Sequence, residues 1–179
     1  MGENDVRGKI EEEASRIEED ATHSAKGHFE AASRWGRTHF WIGVPATISS
    51  AVAAVSLLKP CPTLTAAFAI GAAVLTALVT FLKPEAKASA HLASGNRYLS
   101  LQSRARVFRN ITLAAADAPS KLAEKVTELT EERNKLNETS PQVPRWAFER
   151  ARKGIKAGEA THAVDAAKKS SKKRPTAGS

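Results

Sequence analysis

Residues 40–58 read FWIGVPATISSAVAAVSLL and residues 62–82 read PTLTAAFAIGAAVLTALVTFL, with only Lys59, Pro60 and Cys61 between them. Neither stretch holds a charged or carboxamide side chain. At about 1.5 Å of rise per residue, each covers roughly 30 Å as a helix, the thickness of the hydrocarbon core of a bilayer. A helix packed in a water-soluble core keeps a wet face on which charges recur every turn; about five turns pass here without one. The pair reads as two transmembrane helices joined by a minimal turn. A cleaved signal peptide fits poorly, because the first stretch starts only at residue 40 and a second follows at once.

The flanks give the hairpin a direction. Arg34 and Arg37 precede the first stretch, Lys83 and Lys87 follow the second, and Lys59 is the only charge in the turn. The positive-inside rule then places both termini in the cytoplasm, as a multi-pass protein of the cytoplasmic (inner) membrane. Trp35, Arg37, Trp41, Lys59 and Lys83 are the expected anchors at the lipid–water interface, since amphipathic rings and long cationic side chains favour the headgroup level. Inside the first stretch Ala46, Ser50 and Ala54 recur at every fourth position, and in the second Thr65, Ala69, Ala73 and Ala77 do the same. Small residues at that spacing let helix backbones approach closely in lipid, where no hydrophobic force drives association. They predict tight packing within the hairpin and between copies. Thr76 and Thr80 add hydroxyls that could line a weakly polar path, against the simpler outcome of bonding back to their own helix. Without an ionisable residue in either span, a selective ion filter or a proton relay is disfavoured.

Outside the spans the chain predicts helices, so the expected fold class is all-α: a two-helix membrane hairpin carrying long amphipathic helices on its N- and C-terminal sides. The 179 residues are rich in Ala, Glu, Lys and Arg, with 8 prolines placed at junctions. In residues 1–39, Ile10, Ala14, Ile17, Ala21, Ser24, His28, Ala31 and Trp35 repeat at alternating fours and threes, an amphipathic seam with its acids off the seam. After residues 40–82, residues 83–158 resume helix. Pro84 ends or kinks the second span. Tyr98, Leu101, Ala105, Phe108 and Thr112 then form a seam among Arg97, Arg104, Arg106 and Arg109, and the acidic first helix is the nearest partner for these arginines. Pro119 opens a helix striped by Leu122, Val126, Leu129 and Leu136 and interrupted by Arg133. Residues 140–144 make a Pro-rich elbow before a short helix with Trp146, Phe148, Ala151 and Ile155 that ends near Gly158. The basic segment 159–179 is expected to be a disordered tail, since from about Lys168 it lacks apolar side chains that could pack.

The net charge of +8 is uneven: residues 1–39 carry 6 Lys/Arg against 9 Asp/Glu, and residues 83–179 carry 20 against 10. This basicity suits anionic lipid better than a specific nucleic-acid site. The single cysteine, Cys61, excludes an internal disulfide, and no Cys/His spacing suits a metal. The 5 histidines form no metalloprotease pattern, no serine sits in a nucleophile elbow, and there is no glycine-rich phosphate loop. No enzyme, cofactor or metal is expected. His39 and His91, close to the two membrane exits, are the histidines singled out as pH-sensitive groups.

Taken in order, several short pieces resemble the SLATT family, a two-helix membrane effector associated with nucleotide-sensing systems of prokaryotic conflict. They are residues 25–35 (AKGHFEAASRW), His39, residues 41–45 (WIGVP), residues 81–84 (FLKP) with Glu85, Lys87 and His91, then Tyr98, Leu101, Arg104, Arg106 and Phe108, and residues 140–152. The resemblance implies a helical cytoplasmic part on a hairpin that oligomerises into a pore when an associated sensor detects infection. It also implies a homo-oligomer and a cytosolic sensor or nucleotide-signalling partner. This chain departs from fused members of the family in holding no recognisable sensor domain. The rival expectation is a non-conducting membrane adaptor.

Overall fold

The computed structural model describes residues 3–55, 61–115 and 118–160, and among these every regular element is a helix. Helix α1 spans Glu3–Val55, α2 Pro62–Leu82, α3 Pro84–Val107 with a π-helical turn at Phe108–Thr112, α4 Pro119–Thr139 and α5 Arg145–Lys156. Lys59 and the basic segment beyond Ala160 lie outside the described residues.

The expected N-terminal helix and first span are one uninterrupted helix, about 80 Å long at 1.5 Å per residue. Between Arg34 and Phe40 Gly36 weakens helix formation most, a cost of about 1 kcal/mol that neighbouring turns absorb. Pro45 withholds its N–H from the carbonyl of Trp41, yet α1 continues through it. Pro62 sits in the first turn of α2, where a missing N–H costs nothing. At the other end Lys83 adopts φ 45° and ψ 52°, and its N–H is 3.0 Å from the Val79 carbonyl oxygen. Pro84 then opens α3. The stop expected at Pro84 is therefore a left-handed cap followed by a proline start.

α2 and α3 return antiparallel to α1, and α4 reverses again to close a three-helix body on the N-terminal part of α1. Its core joins Ile10, Ala14, Ile17 and Ala21 of α1 to Tyr98, Leu101, Ala105 and Phe108 of α3 and to Leu122, Val126, Leu129 and Leu136 of α4. The seam read in α1 is buried as expected, except that Ala25 takes the place given to Ser24 and Trp35 is half-buried. The α4 stripe is intramolecular core. Ala14, Ala21 and Ala105 are completely buried, so helix axes approach where side chains are smallest.

Charges off the seam pair across helices. Arg109 lies 3.1 Å from Glu18, and Arg133, which interrupts the α4 stripe, lies 3.2 Å from Asp20 and 3.9 Å from Glu13, all on α1. Arg104 pairs with Glu132 of α4. Such half-exposed pairs contribute about 0–1 kcal/mol each and mainly fix register. α5 runs antiparallel to α1: Trp146 faces Arg34, Arg150 is 3.0 Å from Glu30, and Lys26 is 2.9 Å from Glu159. Its buried face is Ala147 and Ala151, while Phe148 is exposed.

Two glycines mark close approaches between helices and the elbow. A Cβ on Gly27 would stand 3.0 Å from Cγ1 of Val143, in the elbow between α4 and α5, and a Cβ on Gly95 would stand 2.7 Å from the Phe29 ring. Gly95→Ala should cost about 1–3 kcal/mol by forcing that ring out of place. Denaturant unfolding of the full chain in mild detergent checks it, with Gly8→Ala, where nothing stands near the new methyl, as the comparison that should not lose stability.

Two helices are long and apolar enough to cross a membrane, and only 6% of each apolar window is buried within the fold. That separates them from core helices, which are covered by their own chain. Ile48, Val55, Leu64, Ile70 and Phe81 stand exposed on this surface, Phe81 at 86%. A continuous apolar surface of this kind is foreign to a monomer in water and matches lipid contact.

Candidate functional site

Helices α1 and α2 touch along a narrow seam. On α1 the seam runs through Ile42, Ala46, Ser49 and Ala53, with Gly43 and Pro45 also half-buried; on α2 it runs through Thr65, Phe68, Ala72, Leu75, Val79 and Leu82, with Gly71 also half-buried. Their spacing alternates threes and fours, as two helices need in order to stay in contact over many turns. Ala46 and Ala72 are the two buried positions of this seam.

Of the small-residue rows read from sequence, Ala46 is buried in this seam and Thr65 is half-buried beside Cys61. Ser50, Ala54, Ala69, Ala73, Thr76, Ala77 and Thr80 are exposed on the hairpin's outer surface. The rows of every fourth residue are therefore not the seam within one chain. The reason is geometric: four residues advance 400° on a helix of 3.6 residues per turn, so such a row winds about 40° per step away from a fixed neighbour. The hydroxyls of Thr47, Ser50, Thr65 and Thr80 donate to the carbonyl oxygens of Gly43, Ala46, Cys61 and Thr76, at 2.9–3.2 Å. Ser50, Thr65 and Thr80, three of the candidate packing or lining residues, thus bond back to their own helix.

The anchors among the described residues cluster where the hairpin meets the body. Trp41 is 71% exposed and meets Phe40 edge-on, with ring centres 5.8 Å apart. The Lys87 ammonium sits 4.3 Å from the centre of the Trp35 ring, and the Arg34 guanidinium 4.6 Å from that of Trp146. Arg37 and Lys83 are exposed. Sequence reasoning did not bring Trp146 to this level, because it lies more than 100 positions from Arg34 and only the elbow at residues 140–144 carries α5 back to α1.

Deeper in the body lies the one polar cluster that α1 and α3 share in their interior among the described residues. His28 and His91 are 2% and 5% exposed, with their Nδ1 atoms 2.9 Å apart. One ring must donate its Nδ1–H to the lone pair of the other, so the contact requires opposite neutral tautomers or a single shared charge. Tyr98 stacks on His28 at 5.4 Å, and its hydroxyl donates to Oδ1 of Asn137 on α4 at 2.8 Å. Burial, and then the positive charge His91 would add, push the His28 imidazole down to about 4; burial also lowers His91. Burial raises the Tyr98 phenol, against the opposing effect of its hydrogen bond with Ser140. The expectation for His91 as an interface group thus becomes an interior pair with His28, a partner that sequence could not supply. His39 is half-buried on α1.

No group of three or more metal-ligating side chains stands together among the described residues. No known family, curated protein or solved structure matches the chain.

Proposed function

We propose that this protein is a membrane effector of a prokaryotic defence or conflict system, in which several hairpins assemble in the inner membrane into a pore that arrests or kills the cell. Both termini lie in the cytoplasm in this reading, as the basic residues Arg34, Arg37, Lys83 and Lys87 at the two exits favour. The observation that carries it is the stripe Ala69, Ala73 and Ala77, left uncovered on α2 with Thr76 and Thr80 beside it. Exposed alanines at every fourth position give lipid-facing helices a surface for close approach, and a second copy is the partner such a surface fits. The resemblance to the SLATT family supplies the trigger: a cytosolic sensor or nucleotide-signalling protein acting on the helical body.

The test is dye and ion efflux from liposomes holding the full chain, paired with growth and membrane potential in cells overproducing it. Ala69→Ile with Ala73→Ile is expected to cut efflux at least tenfold and restore growth while insertion persists, because the added methylenes hold helices apart. Inserted, oligomeric protein that leaves liposomes sealed and cells polarised would sink the pore.

A non-conducting adaptor, with the hairpin only anchoring a platform for a cytosolic protein, is favoured by one observation: the span hydroxyls that bond back to their own carbonyls offer little to an aqueous path. An adaptor keeps its activity when residues 40–82 are exchanged for an unrelated hairpin, and a pore does not.

A further inference from the structure

At the base of the hairpin a cleft of about 500 Å³ opens between α1 and α5. α1 supplies Arg34, Arg37 and Thr38 and, one turn further along, Trp41 and Ile42; α5 supplies Trp146 and Arg150. The charged residues lining it are all cationic. Arg150 is matched by Glu30 at 3.0 Å, but Arg34 rests on the face of Trp146, and Arg37 makes no ion pair or hydrogen bond among the described residues. No carboxylate lines the cleft. Two uncompensated guanidiniums in one cavity form a site for an anion, and the planar fork of Arg suits the oxygens of a phosphate.

The level of the cleft decides what carries that phosphate. The uncharged stretch begins at Phe40, so Arg34, Arg37 and Thr38 lie just outside it and Trp41 and Ile42 just within. Three of the seven lining residues are cationic and three apolar, and along α1 the character changes at the depth where a bilayer changes from headgroup to acyl chain. A soluble phosphate would leave Trp41 and Ile42 unused.

We propose that this cleft binds the phosphate headgroup of an anionic phospholipid of the cytoplasmic leaflet, held by Arg34 and Arg37 with its glycerol and acyl end along Trp41 and Ile42. The site rests on the membrane reading and is independent of whether a pore forms. It gives the body a fixed seat on the lipid surface, since Trp146 joins the same cleft from α5.

The test uses the full chain reconstituted in phosphatidylcholine vesicles. Resistance to carbonate extraction is scored first; release into the supernatant there overturns the membrane reading and the site with it. In inserted protein, tryptophan fluorescence is then followed as phosphatidylglycerol replaces phosphatidylcholine. A saturable response is expected, with the half-saturating fraction raised about fivefold by Arg37→Gln, the worth of one cation at a membrane surface. Arg34→Gln together with Arg37→Gln should raise it at least tenfold. Arg37→Gln removes no contact within the fold, so its effect is not a folding defect. Arg97→Gln with Lys121→Gln removes the same charge elsewhere and should change nothing. Equal losses in both double variants, or none in either, would overturn the site by reducing it to bulk charge. Saturation by millimolar inorganic phosphate in phosphatidylcholine alone would overturn it in favour of a soluble ligand.

Discussion

Lowering the pH from 7 to 4 is expected to remove about 3 kcal/mol of folding stability through His28, whose shift includes the effect of its neighbour His91. Its imidazole titrates near 6.5 when the chain is unfolded and about 4 in the folded body, so between those values the unfolded chain binds the proton better. Stability from this group is complete above about 6.5 and is lost as pH falls toward about 4. Burial at His91 acts in the same direction. The physical event is charging a side chain that Tyr98, His91 and the α1–α3 contact hold away from water, and a second proton on the pair would leave neither Nδ1 able to accept. Denaturant unfolding of the full chain in nonionic detergent at a series of pH values measures the slope. His28→Asn removes the titration while keeping a side chain able to bond His91, and it should flatten that slope between pH 6.5 and 4.5. An unchanged slope in the variant would assign the acid sensitivity to other groups.

Leu101→Ala should cost about 2–5 kcal/mol, the range for removing a buried leucine and leaving a cavity. Leu101 is completely buried in the core that joins α1, α3 and α4. Leu92→Ala, on the same helix but half exposed, should stay within about 0.5 kcal/mol. Limited proteolysis separates the body from the hairpin: the Leu101 variant should be cut in α3 and α4 while the stretch 40–82 stays protected in its micelle. Equal resistance of both variants would mean that the body draws its stability from elsewhere. In a pore effector the same change would also loosen the part of the molecule through which a sensor must act.

Much of the architecture was legible because it depends on local pattern. Two uncharged stretches of membrane length, prolines at helix starts and the seams Ile10–Ala14–Ile17–Ala21 and Leu122–Val126–Leu129 follow from periodicity and composition, which each segment carries in itself. Of the arginines expected from charge alone to pair with the acidic α1, Arg109 does so with Glu18, whereas Arg104 pairs with Glu132 of α4. The contact line inside the hairpin was not legible. Small residues at every fourth position announce a surface that permits close approach without saying which neighbour takes it, and the seam through Ala46 and Ala72 left Ala69, Ala73 and Ala77 outside.

What the sequence by itself determined is the division of the chain into apolar helices that water cannot accommodate and amphipathic helices with one buried face, because burial preference and helical periodicity belong to each segment. Only the tertiary structure decided which distant residues meet: His28 with His91, Gly95 with Phe29, Trp146 with Arg34. Those meetings depend on the continuity of α1 through residue 40, on the left-handed cap at Lys83 and on the elbow at residues 140–144, which set the register of whole helices against one another. Register is a property of the packed pair and is written in neither partner.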